Sequence, residues 1–316
     1  MIQPEIVQQA DYEVLDKAQS SVLRTLIYFD CFNYPLTLEE IFRYSTLSSL
    51  NETKSVVECL IEQKKIGMLN SQYFLSARER IVEIREALNK DAEQYYEVAN
   101  RYTRLISRFP FVRGVLITGS LSKGCMEKNG DIDYLIITEP NRLWLCRTLL
   151  TIYKKTVLFN SRKYFCVNYY LTADSLHIPD KNFFTATEIT SAKPAYNASA
   201  CNQFFSSNDW TSYFYPNMLQ KNRFTVHEMN EPFSKRTLEG ILNGKLGEWA
   251  DEWLMRIFVW HWRNKYKDQD QNRFEVNFRS RRNVSKHHPH GFQFKVLQTY
   301  EQNLRSFEER YKLKFT

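Results

Sequence analysis

Two aspartates and a Gly-Ser pair in the stretch 114–137, GVLITGSLSKGCMEKNGDIDYLII, have the types and spacing needed for phosphate and metal chemistry. Gly119 and Ser120 follow directly on an apolar run. Small residues in such a turn let backbone N–H groups approach a phosphate closely, and the Ser120 hydroxyl adds a donor. Asp131 and Asp133 begin the next apolar run, and strand alternation places both side chains on one side of it.

Paired carboxylates of this kind suit nucleotidyl transfer. They can hold Mg²⁺, or Mn²⁺, while the phosphate oxygens of a nucleoside triphosphate (NTP) supply further ligands. Two such ions can stabilise both the attacking and the leaving oxygen of an in-line displacement. The alternative interpretation is an accidental pair of aspartates on the solvent-exposed edge of a hairpin. The flanking apolar runs favour the first interpretation.

The elements around this stretch predict a small mixed sheet. Strands are predicted for 114–120 and 131–138, and the helical pattern NRLWLCRTLLTIYKKTVLF follows them. A third strand, KYFCVNYYLT, comes next, and alternation places Cys166, Asn168 and Tyr170 on one of its sides. The order strand, turn, strand, helix, strand would bring the side chain of Asn168 toward the two aspartates.

The pattern TGS, ten residues, then DIDY resembles the signature of the polymerase-β-like nucleotidyltransferase superfamily. Further segments, among them FPFVRGVLITGSL, FCVNYYL, FFTATEI and NDWTSYFYPN, resemble a poorly characterised bacterial family of nucleotidyltransferase-domain proteins. Together they cover nearly the whole chain. The resemblance implies Mg²⁺-dependent transfer of a nucleoside monophosphate from an NTP to a hydroxyl of an acceptor. It implies no known acceptor, which could be a small molecule, a protein or RNA.

The chain departs from this superfamily at the position of the third carboxylate, where Asn168 stands. Asparagine is a neutral ligand and a poor base. Asn168 could orient the substrate while Glu188 or Asp174 completes the site, or two acids could suffice. As a third possibility, the site binds a nucleotide without turnover, in a catalytically weak nucleotide-sensing or nucleic-acid-binding module.

Several basic side chains could contact phosphate. Lys123 could reach the β- or γ-phosphate, or it could be a solvated loop lysine. Arg142 and Arg147 lie on the predicted helix after the second strand, where they form local salt bridges or contact substrate.

The chain carries a formal charge of +7, and residues 256–316 hold 14 Lys and Arg against 6 Asp and Glu. The densest segment is 279–290. It is expected to be a flexible surface loop or an electrostatic funnel for triphosphate or nucleic acid, with Arg282 as a possible accessory residue. Its histidines, without neighbouring cysteine or acid, are a weak zinc signal.

Residues 1–76 predict a winged-helix-like domain. Helical spacing near residues 14–29 is followed by a capping box in which Thr37 precedes Glu40, then by a helix at 52–65 and a hairpin around Asn70-Ser71. The third helix carries as many glutamates as lysines and no arginine for a guanine contact. A packing or partner module is therefore favoured over DNA recognition.

The predicted fold class is α+β. Residues 77–109 form a long connecting helix ended by Pro110, 110–200 form the nucleotidyltransferase core, and 201–316 form a helical C-terminal domain with the basic loop. Trp249, Trp253, Ile257 and Trp260 fall at helical spacing and are expected in the core.

Composition excludes several other classes of protein. Apolar residues make up 43% of the chain, which is enough for real cores, and no apolar run approaches the roughly 20 residues of a membrane span. The N-terminus lacks the features of a signal peptide. The six cysteines are scattered without metal-site spacing, which predicts reduced thiols. A cytoplasmic protein with no membrane partner is expected.

Overall fold

The computed structural model describes residues 12–128, 130–161, 163–218, 226 and 231–316. These residues group into two units. The first unit contains the described residues of Met1–Arg85, together with Tyr213–Met218 and Phe294–Thr316. The second contains the described residues of Glu86–Ser212 and Leu219–Gln293.

Three helices followed by a hairpin form the first unit, in the predicted order. Thr37 caps the second helix: its hydroxyl accepts from the Glu40 N–H at 3.3 Å, and the Glu40 carboxylate accepts from the Thr37 N–H at 2.9 Å, so the predicted capping box is confirmed. Asn70 and Ser71 turn the hairpin with φ of 51° and 57°. The elements are β1 (Glu13–Val14), α1 (Lys17–Asp30), α2 (Leu38–Arg43), α3 (Leu50–Glu62), β2 (Ile66–Leu69) and β3 (Gln72–Leu75).

The end of the chain closes the first unit. The strand β10 (Leu313–Lys314) follows the helix α12 (Phe292–Tyr311) and pairs in parallel with β1. The ring of Tyr300 packs edge-on against Tyr28, which is buried in α1. Residues distant in sequence therefore share one core.

Within the described residues of the second unit, six strands form one mixed sheet in the order β7-β4-β5-β6-β9-β8. β5 and β6 are parallel, and the other neighbours are antiparallel. The strands are β4 (Val112–Thr118), β5 (Asp133–Thr138), β6 (Cys166–Thr172), β7 (Lys193–Tyr196), β8 (Ser280–Arg281) and β9 (Val284–Lys286). Mixed strands with helices on both faces make this an α+β fold, as expected.

Helices cover the two faces of this sheet, and side-chain alternation assigns Asp133 to one face. Tyr134 and Ile136 belong to one apolar cluster, whereas Leu135 and Ile137 belong to another. Asp133 therefore lies on the side of Leu135 and Ile137. The helices are α4 (Arg80–Ser107), α5 (Gly119–Ser122), α6 (Leu143–Thr156), α7 (Phe183–Ser191), α8 (Ala198–Ser206), α9 (Phe233–Leu242), α10 (Lys245–Lys265) and α11 (Gln271–Asn277).

Two predicted elements of this unit are corrected. The pattern NFFTATEITSAKPAY predicts a helix over 182–196, but α7 ends at Ser191, because Pro194 cannot continue it, and Lys193–Tyr196 instead pair with β4. The basic segment 279–290, expected to be a loop, contains the β8–β9 hairpin, and β9 hydrogen-bonds to β6. The predicted helical region 201–316 thus contributes two strands to the sheet.

The expected burial of the tryptophans is wrong. Trp249, Trp253 and Trp260 are 64%, 53% and 67% exposed, and Ile257 is exposed as well. The helix α10 has apolar residues on both faces, and it buries the face that carries Trp262. Neither α10 nor any other helix in the described ranges is long and apolar enough to cross a membrane.

A buried carboxylate on α10 caps the start of α6. Arg142, at the N-cap position of α6, makes no side-chain cap hydrogen bond. Instead, Asp251 Oδ1 accepts from the Leu145 N–H at 2.8 Å. The residue is fully buried, and this burial raises the pKa of Asp251 to about 6, although hydrogen bonds from the backbone of Leu145 and Trp144 oppose the rise.

We predict that Asp251→Asn makes the fold less sensitive to pH. The folded pKa exceeds the ordinary value of 3.8, so Asp251 contributes stability below about pH 4 that is lost as the pH rises through 6. Asparagine keeps the acceptor oxygen without the charge. The free energy of unfolding of the variant relative to wild type should therefore rise by about 1–3 kcal/mol between pH 4.5 and 7.5.

Urea unfolding at a series of pH values measures this difference. Asp268→Asn, at an exposed position, is the matched control and should show no such trend. Parallel curves for Asp251→Asn and wild type would contradict the prediction.

Candidate functional site

Gly119 and Asp133 come into direct contact where β4 ends and β5 begins. Thr118 and Asp133 are paired residues of these two strands. Gly119 follows with φ of +69°, and a Cβ atom placed on it would lie 2.5 Å from Asp133 Oδ2. The positive φ of Gly119 and its close approach to Asp133 each favour glycine at this position, so the Gly-Ser turn packs directly against the Asp133 carboxylate.

The carboxyl group of Asp133 is destabilised in its charged form. Burial, together with the negative charges of Glu188 and Asp131, raises the pKa of Asp133 to about 7. A hydrogen bond with Cys166 and the positive charge of Lys123 oppose this rise. A carboxyl that is desolvated and has acidic neighbours is typical of a functional site.

Asn168 contacts Asp133 directly, and β6 is irregular at this residue. Tyr134 pairs with Val167 and Leu135 pairs with Tyr169, so Asn168 is an extra residue in β6. Its Nδ2 donates to Asp133 Oδ1 at 2.7 Å. The Asn168 side chain points toward Asp133, as expected, and its amide adds a donor without adding a third negative charge.

Cys166 holds the amide of Asn168 from the other side. Its thiol donates to Asn168 Oδ1 at 3.5 Å, which leaves the amide nitrogen facing Asp133. Sequence reasoning did not single out Cys166 as a site residue. Its place at the start of β6, where Asp133 is its paired residue on β5, is the signal that could have found it.

Lys123 and Glu188 form an ion pair beside this carboxylate. Lys123 Nζ donates to Glu188 Oε1 at 2.7 Å and to the Gly119 carbonyl at 3.2 Å. Glu188 is carried by α7 and Lys123 by the loop after α5. The structure thus brings together Gly119, Lys123, Asp131, Asp133, Asn168 and Glu188, whereas the Ser120 side chain is exposed at the turn.

The donor set suits a divalent cation only if a substrate supplies further ligands. In the described part of the chain, no group of three or more His, Cys, Asp or Glu side chains is arranged to hold a metal ion. Asp131 and Asp133 offer oxygen ligands of the kind that Mg²⁺ prefers. Because Mg²⁺ is usually bound through one or two carboxylates plus substrate phosphates, the pair fits that ion together with a triphosphate.

Three other predicted residues lie elsewhere. Asp174 follows the far end of β6, about 20 Å along the strand from Cys166 at roughly 3.3 Å per residue. Arg142 donates to the carbonyls of Leu242 and Asn243 at the end of α9. Arg282 is exposed in the β8–β9 turn, next to the Thr172 end of β6. None of these side chains belongs to the group around Asp133.

Arg147 is also committed elsewhere, since it is buried in the apolar cluster on the opposite face of the sheet. Its guanidinium lies 4.8 Å from the ring centroids of both Tyr170 and Trp262. Burial lowers the pKa of Arg147. Among the described residues it has no salt-bridge partner, and its charge is stabilised by aromatic rings.

The basic segment 279–290 is partly neutralised by an internal acid. Arg279 makes a bidentate pair with Asp180, at 3.1 and 2.7 Å. Lys286 is buried, lies 3.7 Å from Asp180, and donates to Gln293 at 2.9 Å. Burial lowers the pKa of His288 to about 3. Two of the segment's four Lys and Arg side chains are therefore close to Asp180.

Comparisons of the chain with protein-family models, with curated proteins and with solved structures gave no match. The assignment of function therefore depends on the geometry of the site and on the resemblance of its sequence pattern.

We predict that Gly119→Ala destabilises the protein more than Gly124→Ala. Both glycines have positive φ, so each alanine incurs a backbone cost of about 1–2 kcal/mol. A Cβ at Gly124 has no neighbouring atom within 4 Å, whereas a Cβ at Gly119 meets the Asp133 carboxylate. Overpacking should add about 1–3 kcal/mol at Gly119 alone. Urea unfolding measures both variants, and equal losses would contradict the close approach.

Proposed function

We propose that the protein is a Mg²⁺- or Mn²⁺-dependent nucleotidyltransferase that moves a nucleoside monophosphate from an NTP to a hydroxyl of an acceptor. The observation that carries this proposal is the close packing of Asp133 against Gly119, with Asp131, Glu188 and Lys123 beside it. Acidic and basic groups meet there at a glycine turn. The acceptor, whether small molecule, protein or RNA, is left open.

Each side chain has a distinct part in this proposal. Asp131 and Asp133 would hold the divalent cation, which supplies charge neutralisation of the triphosphate when bound. Ser120 offers an exposed hydroxyl to a phosphate oxygen, and Lys123 offers a positive charge. Asn168 holds the Asp133 carboxylate in place through Nδ2. Positioning and electrostatic stabilisation account for most of the catalysis of phosphoryl-type transfers.

In the same proposal, each of the two units has its own role. Residues of the first unit would be a winged-helix-like domain that serves as a packing or partner module. The mixed sheet would be the core of a polymerase-β-like nucleotidyltransferase, in support of which stand the glycine turn and the aspartates on adjacent antiparallel strands. A cytoplasmic location, expected from the scattered cysteines, is also part of the proposal.

A second candidate function is a nucleotide-sensing or nucleic-acid-binding module with little catalysis. The observation that favours it is Asn168, whose amide occupies the place of a third acid and binds Asp133. Nucleic-acid binding through segment 279–290 is less supported, because Asp180 pairs with Arg279 and Lys286. Salt-sensitive retention of RNA or DNA, with tight NTP binding and no pyrophosphate, would favour this module.

We predict that Asp131→Asn and Asp133→Asn each lower Mg²⁺-dependent pyrophosphate release by at least about 100-fold. The reason is that electrostatic stabilisation by a bound cation contributes several kcal/mol to such reactions. The measurement is pyrophosphate release from each of the four NTPs, with mixed candidate acceptors, for wild type and both variants.

Asp174→Asn is the matched control, since this exposed aspartate lies at the far end of β6. It should release pyrophosphate at the wild-type rate. Equal release by wild type and both site variants would refute the transferase, whereas NTP binding without release in wild type would support the sensing module.

A further inference from the structure

Two charged residues of the proposed site, Lys123 and Glu188, are bound to each other. Lys123 Nζ and Glu188 Oε1 are 2.7 Å apart, and their side chains are only 16% and 29% exposed. The same Nζ also donates to the Gly119 carbonyl. A triphosphate that uses Lys123 must therefore first compete with Glu188 for it.

The position of Glu188 is fixed by the helix that carries it. Glu188 is the one charged residue of α7, and its neighbours on both sides, Thr187 and Ile189, are buried. Asn182 caps the helix, accepting from the Thr185 N–H at 2.9 Å. Since α7 is anchored in this way, loss of Lys123 would leave the Glu188 carboxylate close to the aspartates instead of letting it move away into solvent.

We propose that the Lys123–Glu188 ion pair is exchanged when an NTP binds: the triphosphate takes Lys123, and the released Glu188 becomes the third acidic group beside Asp131 and Asp133. This inference rests on the proposed function and deepens it. The third acid of the site then comes from a helix facing the sheet, and the neighbouring strand supplies the amide of Asn168 instead.

The exchange has an electrostatic consequence. Removing Lys123 from Glu188 leaves carboxylates on Glu188, Asp131 and Asp133 without their nearest cation, next to an anionic ligand. A divalent cation that arrives with the NTP compensates these charges, and the free NTP does not. The pair should therefore select the cation-bound NTP over the metal-free NTP.

Binding with and without metal tests this exchange. The probe is whichever of ATP, GTP, CTP and UTP binds wild type most tightly in Mg²⁺, titrated calorimetrically in EDTA and again in Mg²⁺. Glu188→Gln should bind the NTP about three- to tenfold more tightly than wild type in EDTA, because no ion pair has to be broken. In Mg²⁺ the order should reverse, because the variant lacks the third acid.

The double variant separates exchange from simple repulsion. Lys123→Gln should weaken binding in EDTA, and adding Glu188→Gln to it should give a smaller gain than in wild type, because only the repulsion by Glu188 is relieved and the competition for Lys123 no longer exists. The same gain in both backgrounds would mean that Glu188 only repels the triphosphate, and it would overturn the proposal.

Glu252→Gln is the charge-matched control, since it removes an acid from an exposed pair with Arg256 on α10. It should leave binding unchanged in both buffers. Thermal unfolding checks that each variant is folded. If Glu188→Gln is not folded, Glu188→Asp, which keeps the charge on a shorter side chain, replaces it. This variant should also gain affinity in EDTA, since it reaches Lys123 less well.

Unchanged or weaker binding of the folded Glu188 variant in EDTA overturns the exchange, even where wild type releases pyrophosphate. If wild type binds none of the four NTPs in Mg²⁺, both the exchange and the proposed function are overturned. The two failures are thus distinguishable.

Discussion

The contact between Gly119 and Asp133 is the constraint on which the rest of the site depends. The chain leaves β4 at Thr118 and enters β5 at Asp133. Because these two residues are paired, the connection begins and ends at the same end of the two strands. A Cβ at Gly119 would occupy space needed by the carboxylate. With that space open, Asp133 lies against the turn itself, and Lys123, four residues along, remains close enough to hydrogen-bond the Gly119 carbonyl.

The charge balance of the site follows from this contact. A carboxyl whose pKa rises from 3.8 to about 7 is disfavoured in its ionised form by about 4 kcal/mol. The surrounding groups reduce this cost without removing it: the Asn168 amide donates to Asp133, and Lys123 neutralises Glu188. A purely structural ion-pair network would place the cation on the carboxylate that needs it most. Here the lysine instead binds Glu188, an arrangement suited to a site that receives its remaining positive charge with a ligand.

The sequence predicted the local elements well and the long-range ones poorly. The capping box at Thr37 and the central strands follow from nearest neighbours and alternation, which depend on a few consecutive residues. β7 and β9 are four and three residues long, too short for a periodic signal, and they are strands because β4 and β6 offer free edges. The extra residue at Asn168 shifts the alternation, so Tyr170 packs on the opposite face from the one predicted. The pairing of Lys123 with Glu188 joins segments 65 residues apart and has no local signature.

The proposed site differs from one with three acids on adjacent strands mainly in the position of its third acidic residue, Glu188, which lies on α7. A carboxylate at position 168 would adjoin Asp133 permanently, and its charge would add to the cost that already raises the Asp133 pKa. Glu188 stands on a separate element with its own cation, so its charge is compensated until that cation is withdrawn. An amide on β6 and an acid on α7 are therefore complementary: the first makes the resting site less costly, and the second keeps a third carboxylate within reach. If the proposed exchange operates, Asn168 is compatible with a site whose third acid is Glu188.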